Sequence, residues 1–227
     1  ADIGIAFDGD GDRVGFVDEK GRIIPIEEYM IIMWRDIYDR VSNRKCLFDV
    51  KCSKVLEDEL LKLGVEPICY RTGGTYTRAK IAELNIPLGG ELSGHICFRD
   101  RFKGYDDGIY NGIRLIELLS NTDKNLSSLS EGINKYYNTP EIKIEVTDTS
   151  KFIIVDKIKE YAKSMNYQML TIDGVKVKFP DCSSALVRAS NTTPCITLRF
   201  EAKTQERLQE IYNEFITKLN EIIKELA

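Results

Sequence analysis

The chain has 227 residues, of which 43% are hydrophobic and 30% charged, the balance of a folded protein long enough for one large domain or two of ordinary size. Lys+Arg 32 against Asp+Glu 36 leaves a net charge of −4, which argues against a polyanion-coating surface and against nucleic acid as a partner. There is no signal-peptide pattern and no apolar run long enough to span a membrane; the stretch 29–34 is too short, so no membrane partner is expected.

The chain begins Ala1-Asp2-Ile3-Gly4-Ile5-Ala6-Phe7, without an initiator Met and already alternating like a strand entering a sheet. It reads as part of a larger protein. Residues 8–13 follow as Asp-Gly-Asp-Gly-Asp-Arg, three carboxylates at alternate positions with a guanidinium after the last. Carboxylates this close repel one another unless a cation sits between them, and hard divalent ions take such oxygen ligands. Gly9 and Gly11 are expected to let the backbone turn tightly enough for Asp8, Asp10 and Asp12 to converge. A calcium loop of the EF-hand type fits the aspartates and Glu19, but it fails at Arg13, where glycine is required, at Phe16, and in its flanks, which read as strands rather than helices.

Beyond this loop, Val14–Val17 returns as a strand, Glu19–Arg22 supplies a turn, and Pro25 starts an apolar helix over about Glu27–Val41. Lys45–Val50 reads as a buried strand, and Ser53 caps a helix that runs through Leu63 and stops at Gly64. The pattern repeats with strand Val65–Tyr70, loop Arg71–Thr75, helix Tyr76–Leu84 and strand Ile86–Gly90. Strands alternating with helices predict an α/β layer with a largely parallel sheet. In such sheets ligands meet the loops at the carboxyl ends of the strands, where Lys51, Arg71–Thr75 and Glu91 fall. Lys51 also precedes a helix N-terminus, where anions gather; a solvated lysine is the competing reading.

The segment Gly89–His95 sets Glu91, Ser93 and His95 on a glycine-bounded turn. A carboxylate and a hydroxyl there can bond vicinal sugar hydroxyls, and the chain's only histidine is a candidate for acid/base work or a phosphate contact. Asp106, Asp107 and Arg101–Lys103 read as helix capping and local pairing ahead of a helix over 107–120. The stretch 121–130 is polar and loop-like, followed by a short helix through Tyr137.

After Thr139 the order changes. Strand Glu141–Val146, helix Lys151–Met165, strands near Tyr167–Ile172, Val175–Phe179, Ser184–Ala189 and Cys195–Ala202, and helix Gln205–Leu226 predict an α+β domain, with the boundary near Tyr137–Pro140. Between the last two strands lies Arg188-Ala189-Ser190-Asn191-Thr192-Thr193-Pro194, whose guanidinium, hydroxyls, amide and backbone N–H groups are what a phosphate dianion needs, although an ordinary polar turn would look similar. The six cysteines form no C-x-x-C pair and read as reduced core thiols of a cytoplasmic protein.

In order, spacing and identity, the segments Asp8–Arg13, Gly90–His95 and Arg188–Pro194 resemble the α-D-phosphohexomutases, the phosphomannomutase/phosphoglucomutase family. The resemblance covers the whole chain. It implies an enzyme, an isomerase that moves a phosphoryl group between the 1- and 6-positions of a hexose through a hexose 1,6-bisphosphate and a phosphoserine. It implies Mg²⁺ on Asp8, Asp10 and Asp12, cleft roles for Arg13 and Lys51, sugar binding by Glu91 and Ser93 with His95 beside them, and a grip on the non-reacting phosphate by Arg188, Ser190, Asn191 and Thr192.

By the same resemblance residues 1–18 end the family's second domain. Residues 19–136 form the third, with a mixed α/β sheet, and 137–227 the fourth, an α+β domain like the TATA-box-binding protein. The family's nucleophile lies in a Ser-His-Asn-Pro type loop, which a chain whose only histidine is His95 does not contain. The phosphoserine is therefore expected in the amino-terminal domains of the same protein, and this portion alone is expected to be inactive; the alternative is a non-catalytic sugar-phosphate-binding protein. Several relatives carry a histidine where this chain has Gly74, and the Leu92-Ser93-Gly94-His95 sequence favours the phosphomannomutase/phosphoglucomutase branch over the glucosamine-phosphate branch.

Overall fold

A computed structural model describes residues 1–226, which fall into two units, Ala1–Asn134 and the residues from Lys135 onward. No helix is long and apolar enough to cross a membrane among the described residues.

The first unit opens with a three-stranded antiparallel sheet, β1 (Ile3–Phe7), β2 (Val14–Asp18) and β3 (Ile23–Ile24), in which the acidic loop is the β1–β2 connection. Pro25 then precedes α1 (Ile26–Ile37), whose φ-restricted start suits proline, and one turn of 3₁₀ helix follows at Tyr38–Arg40. Burial reaches most of α1, including Tyr29, Met33 and Trp34. Its two glutamates survive burial because each is paired: Glu27 accepts from the Ser53 amide at 3.0 Å, and Glu28 takes both Nη atoms of Arg22 at 3.0 and 2.7 Å.

The main sheet has the order β5-β4-β6-β7, from β4 (Lys45–Asp49), β5 (Glu66–Tyr70), β6 (Leu88–Gly90) and β7 (Ile96–Phe98). β4, β5 and β6 are parallel, as the crossover helices α2 (Lys54–Leu63) and α3 (Gly74–Glu83) require, whereas β7 is antiparallel and makes the sheet mixed. Ser53 Oγ caps α2 by accepting from Val55 N at 3.1 Å, and Gly64 ends it in the left-handed region at φ 83°. The helix α4 (Gly108–Ser120) is capped by Asp107, which accepts from Tyr110 N at 2.9 Å.

The expected helix through Tyr137 is not formed. A short helix, α5 (Leu126–Leu129), lies earlier, anchored by buried Leu126 and capped by Asn125; Gly132 at φ 77° interrupts the backbone after it. Tyr137–Asn138 instead form a strand, β8, against Ala202 and Glu201, because edge pairing satisfies backbone groups that an isolated helical turn would leave open.

The second unit contains β8, β9 (Ile142–Glu145), α6 (Ser150–Ser164), β10 (Gln168–Leu170), β11 (Val175–Lys178), β12 (Ser184–Ala189), β13 (Cys195–Ala202) and α7 (Gln205–Leu226). The sheet is antiparallel in the order β10-β11-β12-β13-β8, with β9 also paired to β13. Ala185 and Val187 of β12 and Ile196, Leu198 and Phe200 of β13 meet Ile154 and Ile158 of α6 and Ile211, Phe215, Leu219 and Ile222 of α7 in one core. The period of two along β12 therefore turns Arg188 away from that core.

A buried carboxylate sets the acid stability of the β2–β3 turn. Asp18 accepts from the amides of Lys20 and Arg22 at 3.0 and 2.9 Å and from Arg22 Nε at 3.2 Å. Desolvation works to raise this carboxyl, but the hydrogen bonds from Arg22 and Lys20 outweigh it, so the folded pKa lies below the ordinary value. A depressed folded pKa stabilises above the unfolded pKa, roughly 3.9, and that stabilisation is lost as pH falls through the folded pKa. The gap in melting temperature between the wild type and Asp18→Asn is thus expected to be constant near neutral pH and to close in strong acid; a gap that persists unchanged would refute this assignment.

Candidate functional site

Three loops of the first unit meet at the carboxyl ends of β4, β5 and β6, and two buried carboxylates tie them together. Asp49, the last residue of β4, is fully buried; its Oδ1 accepts from the Leu92 amide at 3.0 Å and Cys52 Sγ at 3.2 Å, and its Oδ2 from Thr72 Oγ1 at 3.0 Å. Glu91, 2% exposed, accepts from the Gly73 amide at 2.9 Å and Thr77 Oγ1 at 2.7 Å on Oε1, and from Ser93 Oγ at 3.4 Å on Oε2. The Oε1 edge of Glu91 is thus filled by protein donors, while Oε2 faces Ser93 across a long, weak contact. Lys51 is not a solvated lysine: it is buried, with Nζ 3.8 Å from Asp49 Oδ2.

The acidic loop is held by groups far along the chain. Asp8, Asp10 and Asp12 each offer an oxygen, and the three oxygens lie within 4.8 Å of one another. Only Gly11 uses the conformational freedom expected of both loop glycines, at φ 75°; Gly9 has no such angle. The amide of Gly108, at the start of α4, donates to Gly11 O at 2.9 Å, and Arg13 forms an antiparallel bridge with His95. Gly94 sits at φ 99° and Gly90 against the His95 carbonyl, where a Cβ would come within 2.6 Å. The turn Gly90–His95 is thereby pinned to the acidic loop on one side and to Asp49 and the Arg71–Thr75 loop on the other.

Charge in this loop is unevenly balanced. Arg13 donates to Asp8 through its backbone amide at 3.1 Å and its Nε at 2.5 Å. Desolvation raises the Asp8 carboxyl, but these Arg13 hydrogen bonds outweigh it and hold the group down at about 2. Asp12 goes the other way: desolvation, with repulsion from Asp10, Asp8 and Asp106 that the nearby His95 does not cancel, pushes it up. A cation shared by the three carboxylates relieves that repulsion, and an all-oxygen donor set suits Mg²⁺.

His95 Nδ1 lies 2.8 Å from Asp106 Oδ2 and 3.5 Å from Asp12 Oδ2. Asp106 is not a capping residue, as the sequence had suggested for the Asp106–Asp107 pair; only Asp107 caps α4, and Asp106 is buried between His95 and Arg78, whose Nη1 donates to Oδ1 at 2.9 Å. A Cβ at Gly74 would lie 3.4 Å from Asp106 Oδ2, so the position where the resemblance implies a histidine in other members faces the carboxylate that His95 bonds.

In the second unit the segment Arg188–Pro194 connects β12 and β13. Arg188 is buried, and its Nε and Nη2 reach Asp173 at 3.1 and 3.5 Å. Gly174, at φ 75°, is required beside it, since a Cβ there would lie 2.6 Å from Arg188 Cβ. The amides of Thr192 and Thr193, expected to be free for a phosphate, are turned onto Ser190 Oγ at 3.4 and 3.2 Å. The Ser190 hydroxyl folds the loop on itself because a serine side chain competes with any external acceptor for nearby amides. Asn191 and Thr192 remain exposed at the tip. Buried Lys151 of α6 donates to Thr193 O at 3.3 Å and pairs with Asp148 at 2.8 Å, adding a cation at the base of the loop that helix periodicity alone did not mark.

Residues 26–136 match the phosphoglucomutase/phosphomannomutase alpha/beta/alpha domain III, and residues 141–218 match the C-terminal domain of the same family. The chain belongs to the phosphoglucomutase/phosphomannomutase family. It is 40% identical over 226 residues to a phosphomannomutase/phosphoglucomutase of Pseudomonas syringae pv. tomato, covering 100% of this chain and 48% of the relative. A phosphoglucomutase of Neisseria meningitidis is 38% identical over 217 residues, covering 95% of this chain and 47% of that protein. The crystal structure of a phosphoglucomutase/phosphomannomutase family protein from Burkholderia thailandensis superposes with a TM-score of 0.88 at 37% identity, over 98% of this chain and 47% of that one. The chain spans about half the length of the curated relatives it matches. Membership of this family accounts for the mixed α/β unit followed by an α+β unit.

Proposed function

We propose that this chain supplies the metal-, sugar- and phosphate-binding parts of a phosphohexomutase, which transfers a phosphoryl group between the 1- and 6-positions of a hexose phosphate by way of the hexose 1,6-bisphosphate. The observation that carries this reading is the pinning of one turn, Gly90–His95, to both the acidic loop and the carboxyl-end loops, so that Asp8, Asp10 and Asp12, the His95 ring and the Glu91–Ser93 pair belong to one block. Asp8, Asp10 and Asp12 would hold Mg²⁺, which offsets phosphoryl charge when bound. Arg13, whose Nε donates to Asp8, offsets part of the loop's negative charge.

Glu91 Oε2 and Ser93 Oγ orient vicinal hydroxyls of the sugar, and a ligand lacking them leaves that pair without partners. Lys51 adds a buried positive charge at the carboxyl end of β4, and His95 handles a proton at the oxygen that gains or loses the phosphoryl group. Arg188, Ser190, Asn191 and Thr192 bind the phosphate that does not react; the Ser190 hydroxyl then exchanges its internal bonds for ligand oxygens. The phosphoserine nucleophile belongs to amino-terminal domains of the same protein, since the chain holds no Ser-His-Asn-Pro loop and spans half of its relatives. Residues 1–18 complete the second domain, with 19–136 and 137–227 the third and fourth. The absence of a disulfide among the described cysteines supports a reducing, cytoplasmic setting.

Titration of the ¹⁵N-labelled chain with mannose or glucose 6-phosphate tests the reading. Amide shifts are expected at Glu91–His95 and at Arg188–Thr192, with the free hexose producing neither set. Absence of both sets at millimolar sugar phosphate would overturn it.

A further inference from the structure

We infer that Asp106 is a positioning residue that fixes the tautomer of His95, holding the ring as the Nδ1–H form with the Nε2 lone pair left for proton transfer. This rests on the reading above, in which His95 handles a proton. The geometry is a three-member chain. Arg78 Nη1 donates to Asp106 Oδ1 at 2.9 Å, and Asp106 Oδ2 lies 2.8 Å from His95 Nδ1. A carboxylate accepts and cannot donate, so a hydrogen bond at that distance places the hydrogen on Nδ1. The other group facing Nδ1, Asp12 Oδ2 at 3.5 Å, is also an acceptor and favours the same form.

The arrangement is rigid where a tautomer lock needs it. The Asp106 side chain is 3% exposed and the His95 side chain 20%, and the two segments are further joined by the Cys97–Asp106 backbone bridge. Arg78, a donor with no acceptor of its own, settles which carboxyl oxygen is left for the ring. The same logic predicts what an amide does in place of the carboxylate. In Asp106→Asn the carbonyl oxygen must face Arg78, which turns the NH₂ toward Nδ1; Nδ1 then has to accept, and the ring changes to the Nε2–H form. Its proton and its lone pair exchange places while the side chains keep their shape.

His95 is the only histidine, so the imidazole nitrogens give one pair of signals in a long-range ¹H–¹⁵N spectrum and need no assignment. In the wild-type chain, recorded where the ring is neutral, Nδ1 is expected to resonate as the protonated nitrogen and Nε2 as the bare one. Asp106→Asn is expected to invert that pattern, and adding Arg78→Met to it frees the amide to rotate and restores the wild-type pattern. A merely structural Asp106 would leave the tautomer unchanged. A wild-type ring in the Nε2–H form, or one averaging the two forms, overturns the proposal even if Asp106→Asn does not fold. An unchanged pattern in folded Asp106→Asn overturns it too. The spectrum needs neither substrate nor turnover, so a failure of sugar-phosphate binding would sink the functional reading and leave this result standing.

Discussion

Asp49→Ala is expected to destabilise the first unit by about 3–5 kcal/mol, lowering its melting temperature by roughly 10 °C or more. The change removes one acceptor group from beneath three donors, the Leu92 amide, Thr72 Oγ1 and Cys52 Sγ, and takes away a carboxylate 3.8 Å from the buried Lys51 ammonium. A fully buried donor that loses its acceptor costs about 1–3 kcal/mol; Cys52 is buried, whereas Leu92 and Thr72 are half-buried and cost less. Asp49→Asn separates the contributions: its carbonyl still accepts from Leu92, the Thr72 hydroxyl can rotate to accept from the new NH₂, and the missing charge beside Lys51 is the main loss. It is expected to cost about half as much. Calorimetric melting of the two variants checks the order, and a loss below about 1 kcal/mol for Asp49→Ala would mean that the loops do not depend on this carboxylate.

The second large effect is expected at Gly108. A Cβ there would lie 2.6 Å from Arg13 O and 2.9 Å from Gly11 O, both backbone atoms that cannot rotate away. Gly108→Ala must therefore push the acidic loop off the start of α4 and break the Gly108 N–H to Gly11 O bond, at a cost of about 1–3 kcal/mol. On the proposal that Asp8, Asp10 and Asp12 hold a divalent ion, displacing their loop should lower divalent-ion affinity about 10–100-fold. Two glycines of the same loop calibrate the result. Gly11→Ala meets no atom within 4 Å but must hold φ 75°, a strain of about 1–2 kcal/mol; Gly9→Ala meets nothing and has no such angle. Mn²⁺ titration followed by water-proton relaxation should rank affinity as Gly9→Ala, then Gly11→Ala, then Gly108→Ala, from strongest to weakest. Equal affinity for the first and last would refute the role given to α4.

Elements with a strong period or a cap were legible in the sequence. Ser184–Ala189, Cys195–Ala202 and Gln205–Leu226 are legible to the residue: alternation marks Cys195–Ala202, an amphipathic stripe marks Gln205–Leu226, and an apolar run bounded by polar turns marks Ser184–Ala189. The strand Ile96–Phe98 was not: three residues carry no usable period, and its pairing partner is set by a turn rather than by its own composition. In the site, the acidic trio converges as spacing suggested, because side chains two apart on a tight loop face the same way. Asp49 carries no local signal in the sequence, because its partners Thr72 and Leu92 stand 23 and 43 positions away. Asp106 was hidden by its neighbour: two adjacent aspartates before a helix look like one capping signal, and only the fold separates the cap from the His95 partner.

The hydrogen bond from Gly108 to Gly11 makes the acidic hexapeptide non-portable. Its six residues carry all three carboxylates, yet the curvature that gathers them is held by a helix that begins nearly a hundred residues later and by a bridge to His95. Grafted onto another hairpin, or synthesised as a peptide, the same Asp-Gly-Asp-Gly-Asp-Arg sequence has no such mould and should behave as a flexible acidic turn. The shape of this loop is thus written partly at Gly108, outside the motif, where the chain leaves room for the Gly11 and Arg13 carbonyls.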